Sequence, residues 1–314
     1  MLKFLLSRLV QVPITLLGLV TIVFIILRIM PGDPVTVYLR DMATPEAVAE
    51  MKIHFGLDKP LHVQFAQTLV GLFSGDLGRS FVSGRPVTEE IMAVLPHTLA
   101  LAVAALLMSS VLGMIAGIIA ALRINRFTDY LVMTLSTLGV SMPVFWLGLI
   151  LIMLFAYKLG LFPVAGVTAH PSLFAQLHAL VLPATSLGLL FMAVVARMTR
   201  ASMAEVLELD FITVVRAKGA SERLIIIKHA LRNAMIPIIT VIAINSGLLI
   251  AGAVLTETVF ARPGIGKLLV EAVMSADFPL VQSIVLFIGL VYVVANLSVD
   301  ILYAYLDPRI KIWR

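Results

Sequence analysis

Cysteine is absent from all 314 residues, which excludes a disulfide framework and any cysteine-ligated metal or redox centre. Charge is scarce too. Only 13% of residues are Asp, Glu, Lys or Arg, against 61% apolar, and the mean hydropathy is +1.07. That balance lies far outside the range of soluble globular chains and marks a membrane protein. The histidines, at positions 54, 62, 97, 170, 178 and 229, are scattered without metal-ligand spacing. There is no His-Glu-x-x-His, no Gly-x-Ser-x-Gly and no intramembrane pair of aspartates in one neighbourhood, so the chain is not expected to be an enzyme. Two glycine-bearing stretches invite a phosphate-binding reading and fail it. GDLGRS at 75–80 lacks the Gly-x-x-x-x-Gly-Lys-Ser/Thr spacing; FARPGIGK at 260–267 has Ala261 where the first glycine belongs and Leu268 where Ser or Thr should meet magnesium. Without a nucleotide motif, active work by this chain must draw its energy from another.

What is plentiful is apolar sequence, in six runs. Residues 9–27 carry no charge and, at ~1.5 Å per residue, come close to a ~30 Å hydrocarbon core. Lys3 and Arg8 precede this run, Pro13 falls in its first turn, and Met30-Pro31-Gly32-Asp33 offers no small-residue cleavage site, so an uncleaved first span is expected. Further spans are expected at 98–122, 131–157, 179–196, 233–256 and from 278 to 299, the last continuing to 305. The turn after the second is marked by Arg123, Arg126 and Asp129, and 158–178 reads as an exposed connection. In the third span Ser141-Met142-Pro143 bends the helix, because Pro143 removes a backbone hydrogen bond; the bend serves packing or opens a pathway at Met142 and Pro143. The fifth is rich in small residues, Ser246, Gly247, Ala251, Gly252 and Ala253, which suits close helix packing. Alternatively Asn245 and Ser246 face a central pathway, since a polar pair facing lipid is costly. Asn296 and Asp300 lie four apart on one face of the sixth, as a link between helices or a transport element. Glu257 stands at the end of the fifth span.

The fold class is therefore an all-α polytopic membrane protein with six transmembrane helices. Its expected parts are a terminal end with the first span at 1–30, a small extramembrane layer at 31–96, and a core of five spans at 97–314. The polar region 28–96 holds six basic and eight acidic residues and three turn-rich pieces: PGDP at 31–34, FGLDKPL at 55–61 and GDLGRSFVSGRPV at 75–87.

Between the fourth and fifth spans lies the one long basic, amphipathic segment, 210–237, DFITVVRAKGASERLIIIKHALRNAMIP. Arg216, Lys218, Arg223, Lys228 and Arg232 interleave with Val214, Val215, Ala217, Ala220 and Leu224, so short helices there have an apolar and a charged face. Gly219 permits φ > 0 and a sharp turn, and Ser221 can cap a second helix. The expected form is helix, bend, helix, either docked on a partner or resting on the membrane surface. The segments 1–8, 123–130, 197–232 and 307–314 hold 14 of the 23 lysines and arginines. Leaving out the long 28–96 region, the opposite side holds three, so both termini and 210–237 are expected in the cytoplasm. The net charge of +5 reflects basic residues at the edges of apolar runs, where membrane lipid and not nucleic acid is the expected partner.

The segment RAKG…HALRNAMIP resembles the cytoplasmic coupling loop of ABC-importer permeases, in particular the dipeptide, oligopeptide, glutathione and nickel branch. Aligned on Gly219, the general family pattern matches at Gly219 and Leu231; its Glu-Ala-Ala falls on Thr213, Val214 and Val215, and its closing proline on Arg232. PGDP, FGLDKPL, GDLGRS, LTETVFARPGIG at 255–266 and DILYAYLDPRI at 300–310 carry the resemblance over nearly the whole length. It implies a permease of the bacterial inner membrane that pairs with a second, homologous permease around a pathway for peptides, glutathione or a metal chelate. It further implies two cytoplasmic ATPase subunits, which hold the ATP and magnesium, and an extracytoplasmic solute-binding protein, with no cofactor or metal in this chain. Residues Arg216, Ala217, Lys218, Gly219, Ala220, Ser221, Glu222 and Leu231 would then couple to the ATPase. An ion-coupled secondary carrier is the alternative; it would normally place ionisable groups mid-membrane.

Overall fold

A computed structural model describes residues 2–29, 33–39, 43–165 and 172–306. Among these residues the regular elements are helices, apart from one isolated bridge between Arg79 and Pro86. The first, α1 (Leu2–Ile29), begins well before the expected span, so Pro13 lies in the helix interior and not in its first turn; one lost backbone bond does not break the helix. Three short helices follow, α2 (Pro34–Leu39), α3 (Pro45–His54) and α4 (Leu61–Ser74). Thr44 caps α3 by accepting from the Ala47 amide at 3.2 Å, with Pro45 at the first position. Gly75, at φ 76°, ends α4 in the left-handed region.

Two helices of 35 residues, α5 (Val87–Ala121) and α8 (Leu173–Leu207), exceed the expected runs. At ~1.5 Å per residue each is about 52 Å long, well beyond a ~30 Å hydrocarbon core. The connection expected at 158–178 is correspondingly shorter, because Ser172 starts α8 by accepting from the Ala175 amide at 3.2 Å. The third span is broken more severely than a proline kink. α6 (Phe127–Ser141) and α7 (Val144–Leu151, continued in π-helical turns through Lys158) meet at 108°. Proline disfavours the helical region for the residue before it; Met142 accordingly sits extended at φ −86°, ψ 128°, and Pro143 starts a new helix.

After α9 (Asp210–Ala217), α10 (Glu222–Leu224) passes through π-helical turns at Ile225–Leu231 into α11 (Arg232–Val259). The chain then forms α12 (Ile265–Met274) and α13 (Phe278–Leu306). Among the described residues five helical stretches are long and apolar enough to cross a membrane, and the bent α6–α7 pair makes six if it counts as one span. The PGDP and DPRI segments and the Asp300 side chain fall at least partly outside the described residues.

The contacts divide the chain into two units, Met1–Thr98 with Pro263–Val294, and Leu99–Arg262 with the chain from Ala295. In the first, Val23, Leu27, Phe81, Val87, Ile91, Ile265 and Ile284 share one apolar cluster. A buried carboxylate pins it. Asp277 accepts from Ser80 Oγ at 2.5 Å, from the Phe81 and Val82 amides at 3.1 and 3.2 Å, and from the Leu280 amide at 3.3 Å. It thus caps α13 and holds the 80–82 turn with the same two oxygens.

The second unit is built on α8, whose buried residues run from Ala179 to Met203. α5 lies against it at near-contact distance because its facing residues are Gly113 and Gly117. A Cβ on Gly113 would stand 2.7 Å from the Met192 carbonyl oxygen, and one on Gly117 would stand 2.5 Å from both the Ala196 oxygen and Thr199 Cβ. This Gly-x-x-x-Gly spacing puts both glycines on one helix face, the arrangement that lets backbones pack closely inside a membrane.

Replacing Gly117 by alanine raises helix propensity by ~1 kcal/mol yet is expected to lower the thermal-unfolding midpoint, because α5 and α8 must separate. Gly18→Ala, where nothing lies within 4 Å of the added Cβ, is expected to be neutral or stabilising. Equal midpoints for the two variants in detergent would contradict the close-packing assignment.

Candidate functional site

The amphipathic segment after α8 folds as helix, bend, helix. Its first helix, α9, buries Ile212 completely. Ile212 sits in a cluster with Met203 of α8, Ile225 and Ala230 of the π-helical turns, and Ala234 and Ile238 of α11. Full burial of an isoleucine side chain is worth about 1.5–3 kcal/mol. The segment is therefore a packed appendage of α8 and α11 and not a loose tether.

At the bend the backbone does what the sequence requires. Lys218 and Gly219 donate to the carbonyls of Val214 and Arg216 at 3.1 and 3.0 Å, and Gly219 takes φ 81°. Ser221 occupies the capping position but makes no side-chain cap bond, in contrast to expectation. The work falls to the next residue. Glu222 accepts from Arg216 Nε at 2.7 Å and Nη2 at 3.3 Å, closing a fork across the bend. This hydrogen bond holds the Arg216 guanidinium above its ordinary pKa. A pair six residues apart has no helical periodicity, so nothing local in the sequence signals it.

The eight residues singled out there divide by exposure. Arg216, Ala217, Lys218, Gly219, Ser221 and Glu222 are exposed, whereas Ala220 and Leu231 are half-buried against the Ile212 cluster. Beside the exposed set stand Val214, Leu224 and Ile227, at 51%, 43% and 55% exposure, an apolar rim next to a fixed ion pair. The helix-face pattern contains these residues, but only the fold shows that they remain uncovered.

Close to this appendage the C-terminal part of α8 is tied to α6. Arg200 donates Nε to Asp129 Oδ1 at 2.5 Å and Nη2 to Oδ2 at 2.6 Å. Asp129 is 2% exposed and also accepts from the Asn125 amide at 3.0 Å. Bidentate pairs of this kind fix geometry as well as charge. At the other end of α11, Glu257 and Arg262 are both buried, and the Arg262 amide donates to the Glu257 carbonyl at 2.8 Å. Burial pushes the Arg262 guanidinium down, and the Glu257 charge acts in the opposite direction.

The four pathway candidates are placed in two groups. Met142 and Pro143 form the elbow between α6 and α7. Asn245 and Ser246, both half-buried in α11, donate to carbonyls of their own helix, Val241 and Ala243, each at 2.7 Å. No hydrogen bond joins the two groups among the described residues.

Apolar spans, a broken helix pair and a packed amphipathic appendage between two of the spans define a polytopic membrane transport subunit. Residues 113–312 match the family of binding-protein-dependent transport system inner membrane components, and residues 1–102 match the N-terminal part of such membrane components; the chain belongs to this family. It is 39% identical to the dipeptide transport system permease protein DppB of Alkalihalophilus pseudofirmus over 99% of this chain and 100% of that protein. It is 41% identical to the di/tripeptide transport system permease protein DppB of Pseudomonas aeruginosa, over 99% of each. The glutathione transport system permease protein GsiC of Salmonella typhimurium is 39% identical, again over 99% of each.

Asp129→Asn leaves the shape of the site intact but strands the Arg200 charge. It is expected to lower unfolding stability by about 3 kcal/mol, measured by detergent-denaturant titration of the purified protein, and an unchanged transition would remove this pair as a structural tie.

Proposed function

We propose that this chain is the permease of an ATP-driven importer of short peptides, and that the α9–α10 appendage is where ATP hydrolysis in a partner is coupled to the spans. The observation that carries this reading is an exposed, charged and apolar surface on an element whose other face is built into α8 and α11. Such a surface offers a partner both grip and leverage. The peptide assignment is drawn from relatives named for dipeptide and di/tripeptide transport that match over almost the whole chain.

In this reading a second, homologous permease completes the pathway. Two cytoplasmic ATPase subunits lie below, and a solute-binding protein delivers cargo from outside. Both termini and the appendage face the cytoplasm, as the distribution of lysine and arginine supports. The chain itself catalyses no reaction and carries no cofactor; ATP and magnesium belong to the ATPase subunits. Arg216, Lys218 and the turn at Gly219 meet the ATPase, with Val214, Leu224 and Ile227 as apolar contacts. Ala220 and Leu231 act from the inner side, by seating the appendage.

The mechanical consequence follows from the packing. A shift of the ATPase surface moves α9, and Ile212 passes that shift to Met203 of α8 and Ile238 of α11 through the apolar cluster they share. ATP binding then favours one arrangement of the spans to the extent that the partner binds it more tightly. The elbow at Met142 and Pro143 is where α6 and α7 can change their angle without unwinding either helix.

Proline at 219 cannot adopt φ 81°, since its ring fixes φ near −65°. Gly219→Pro, and the double reversal Arg216→Glu with Lys218→Glu, are expected to abolish peptide uptake and peptide-stimulated ATPase activity in the reconstituted complex while membrane insertion is unchanged. Wild-type uptake in either variant would refute coupling through this segment. Uptake that survives ATP depletion but stops with an uncoupler would place the chain among ion-driven carriers instead.

A further inference from the structure

The unit formed by Met1–Thr98 and Pro263–Val294 carries an open cleft of about 320 Å³. Its walls come from the end of α1, from α4, from the 76–81 turns and from the start of α13. One basic side chain lines it, Arg28, and one acidic side chain, Asp76. Arg28 donates Nε and Nη2 to Gln64 Oε1 at 3.2 and 2.8 Å, and its guanidinium lies 4.5 Å from the centre of the Phe24 ring. Gln64 is 8% exposed, and its Nε2 donates to the carbonyls of Leu57 and Lys59 at 3.2 and 2.8 Å. Because a guanidinium only donates, this network fixes the orientation of the amide. Gln64 thus holds Arg28 in place without neutralising it.

Among the described residues no carboxylate lies within ion-pair distance of Arg28. Asp33 is engaged with Lys52 at 2.7 Å, and Asp76 accepts from the Gly78 amide at 3.0 Å. A guanidinium has five N–H groups, and Gln64 takes two of them. A cation half-withdrawn from water, with a neutral partner and unused donors facing a cavity, is a site for an anion. Its planar fork matches phosphate or carboxylate. The rest of the lining is mixed: Phe55, Leu72 and Phe278 are apolar, while Gln282 and Ser283 offer polar groups. The ligand that fits is an anionic head on an apolar body.

Depth narrows the source. Arg28 falls in the last turn of the span Gln11–Ile29, where hydrocarbon gives way to headgroups. The exposed aliphatic face of the same helix, Ile22, Ile25, Ile26 and Ile29, is turned by roughly 100° from Arg28, so it brings lipid beside the helix without lining the cavity. We propose that this cavity binds an amphipathic anion through Arg28, and that a membrane phospholipid, its phosphate on the guanidinium, is the source this depth favours. The same head chemistry occurs in the free carboxylate of a peptide.

The assembled transporter in detergent is titrated with dihexanoyl phosphatidylglycerol, followed by native mass spectrometry. Saturable binding is expected, weakened about tenfold by Arg28→Gln through loss of a charge-assisted contact and partly restored by Arg28→Lys. Gln67→Trp, which adds bulk to the cavity lining at a residue other than Arg28, is expected to weaken binding as well and guards against misfolding of the Arg28 variants. Competition by the dipeptide Leu-Phe but not by its C-terminal amide would keep the anion site and overturn the lipid source in favour of cargo, whereas no competition by either supports the membrane as the source. Equal binding by wild type and Arg28→Gln, or equal binding of uncharged dihexanoylglycerol, would overturn it.

Discussion

The close approach of α5 to α8 is the constraint on which the larger unit depends. Two helices inside a membrane gain little from excluding lipid, so their association rests on van der Waals contact and on polar ties. Gly113 and Gly117 remove the side chains that would hold the backbones apart. Once α5 is seated, the other face of α8 remains for α6, α7 and α11, and its C-terminal end for the Ile212 cluster. The Asp129–Arg200 pair then fixes α6 to that end. One helix thereby carries the packing, the charge pairing and the appendage.

Much of this was legible in sequence because it is local. Length and apolar content locate the spans, and Gly219 together with the interleaved basic residues gives helix, bend, helix. Pro143 announces a break in the third span, but local chemistry says only that the helix must stop. The 108° between α6 and α7 also depends on what each half packs against. Pro13 shows the converse, a proline that looks terminal because the apolar run begins late, although the helix itself starts at Leu2.

The rest was hidden because it depends on partners distant in the chain. Asp277 reads as one acid near the end of a span; its importance comes from Ser80, Phe81 and Val82, almost two hundred positions earlier. Its place just before Phe278-Pro279-Leu280 was the available signal, since aspartate favours helix starts. Gly113 and Gly117 carried a readable spacing, but the sequence does not say which helix lies opposite. Arg28 and Gln64 meet only when α1 and α4 are folded together. Of the appendage residues, Ala220 and Leu231 were singled out by the family resemblance alongside exposed neighbours, and their half-burial separates seating from surface.

The length of α8 has a mechanical meaning. A helix of about 52 Å exceeds a hydrocarbon layer of ~30 Å by roughly 20 Å, and the appendage is bolted to its C-terminal end by Met203 and Ile212. Force applied there acts on a lever and not on a string. A tilt of ~5° about one end of a rod of that length sweeps the other through about 4.5 Å, nearly a helical turn, with no hydrogen bond broken along the way.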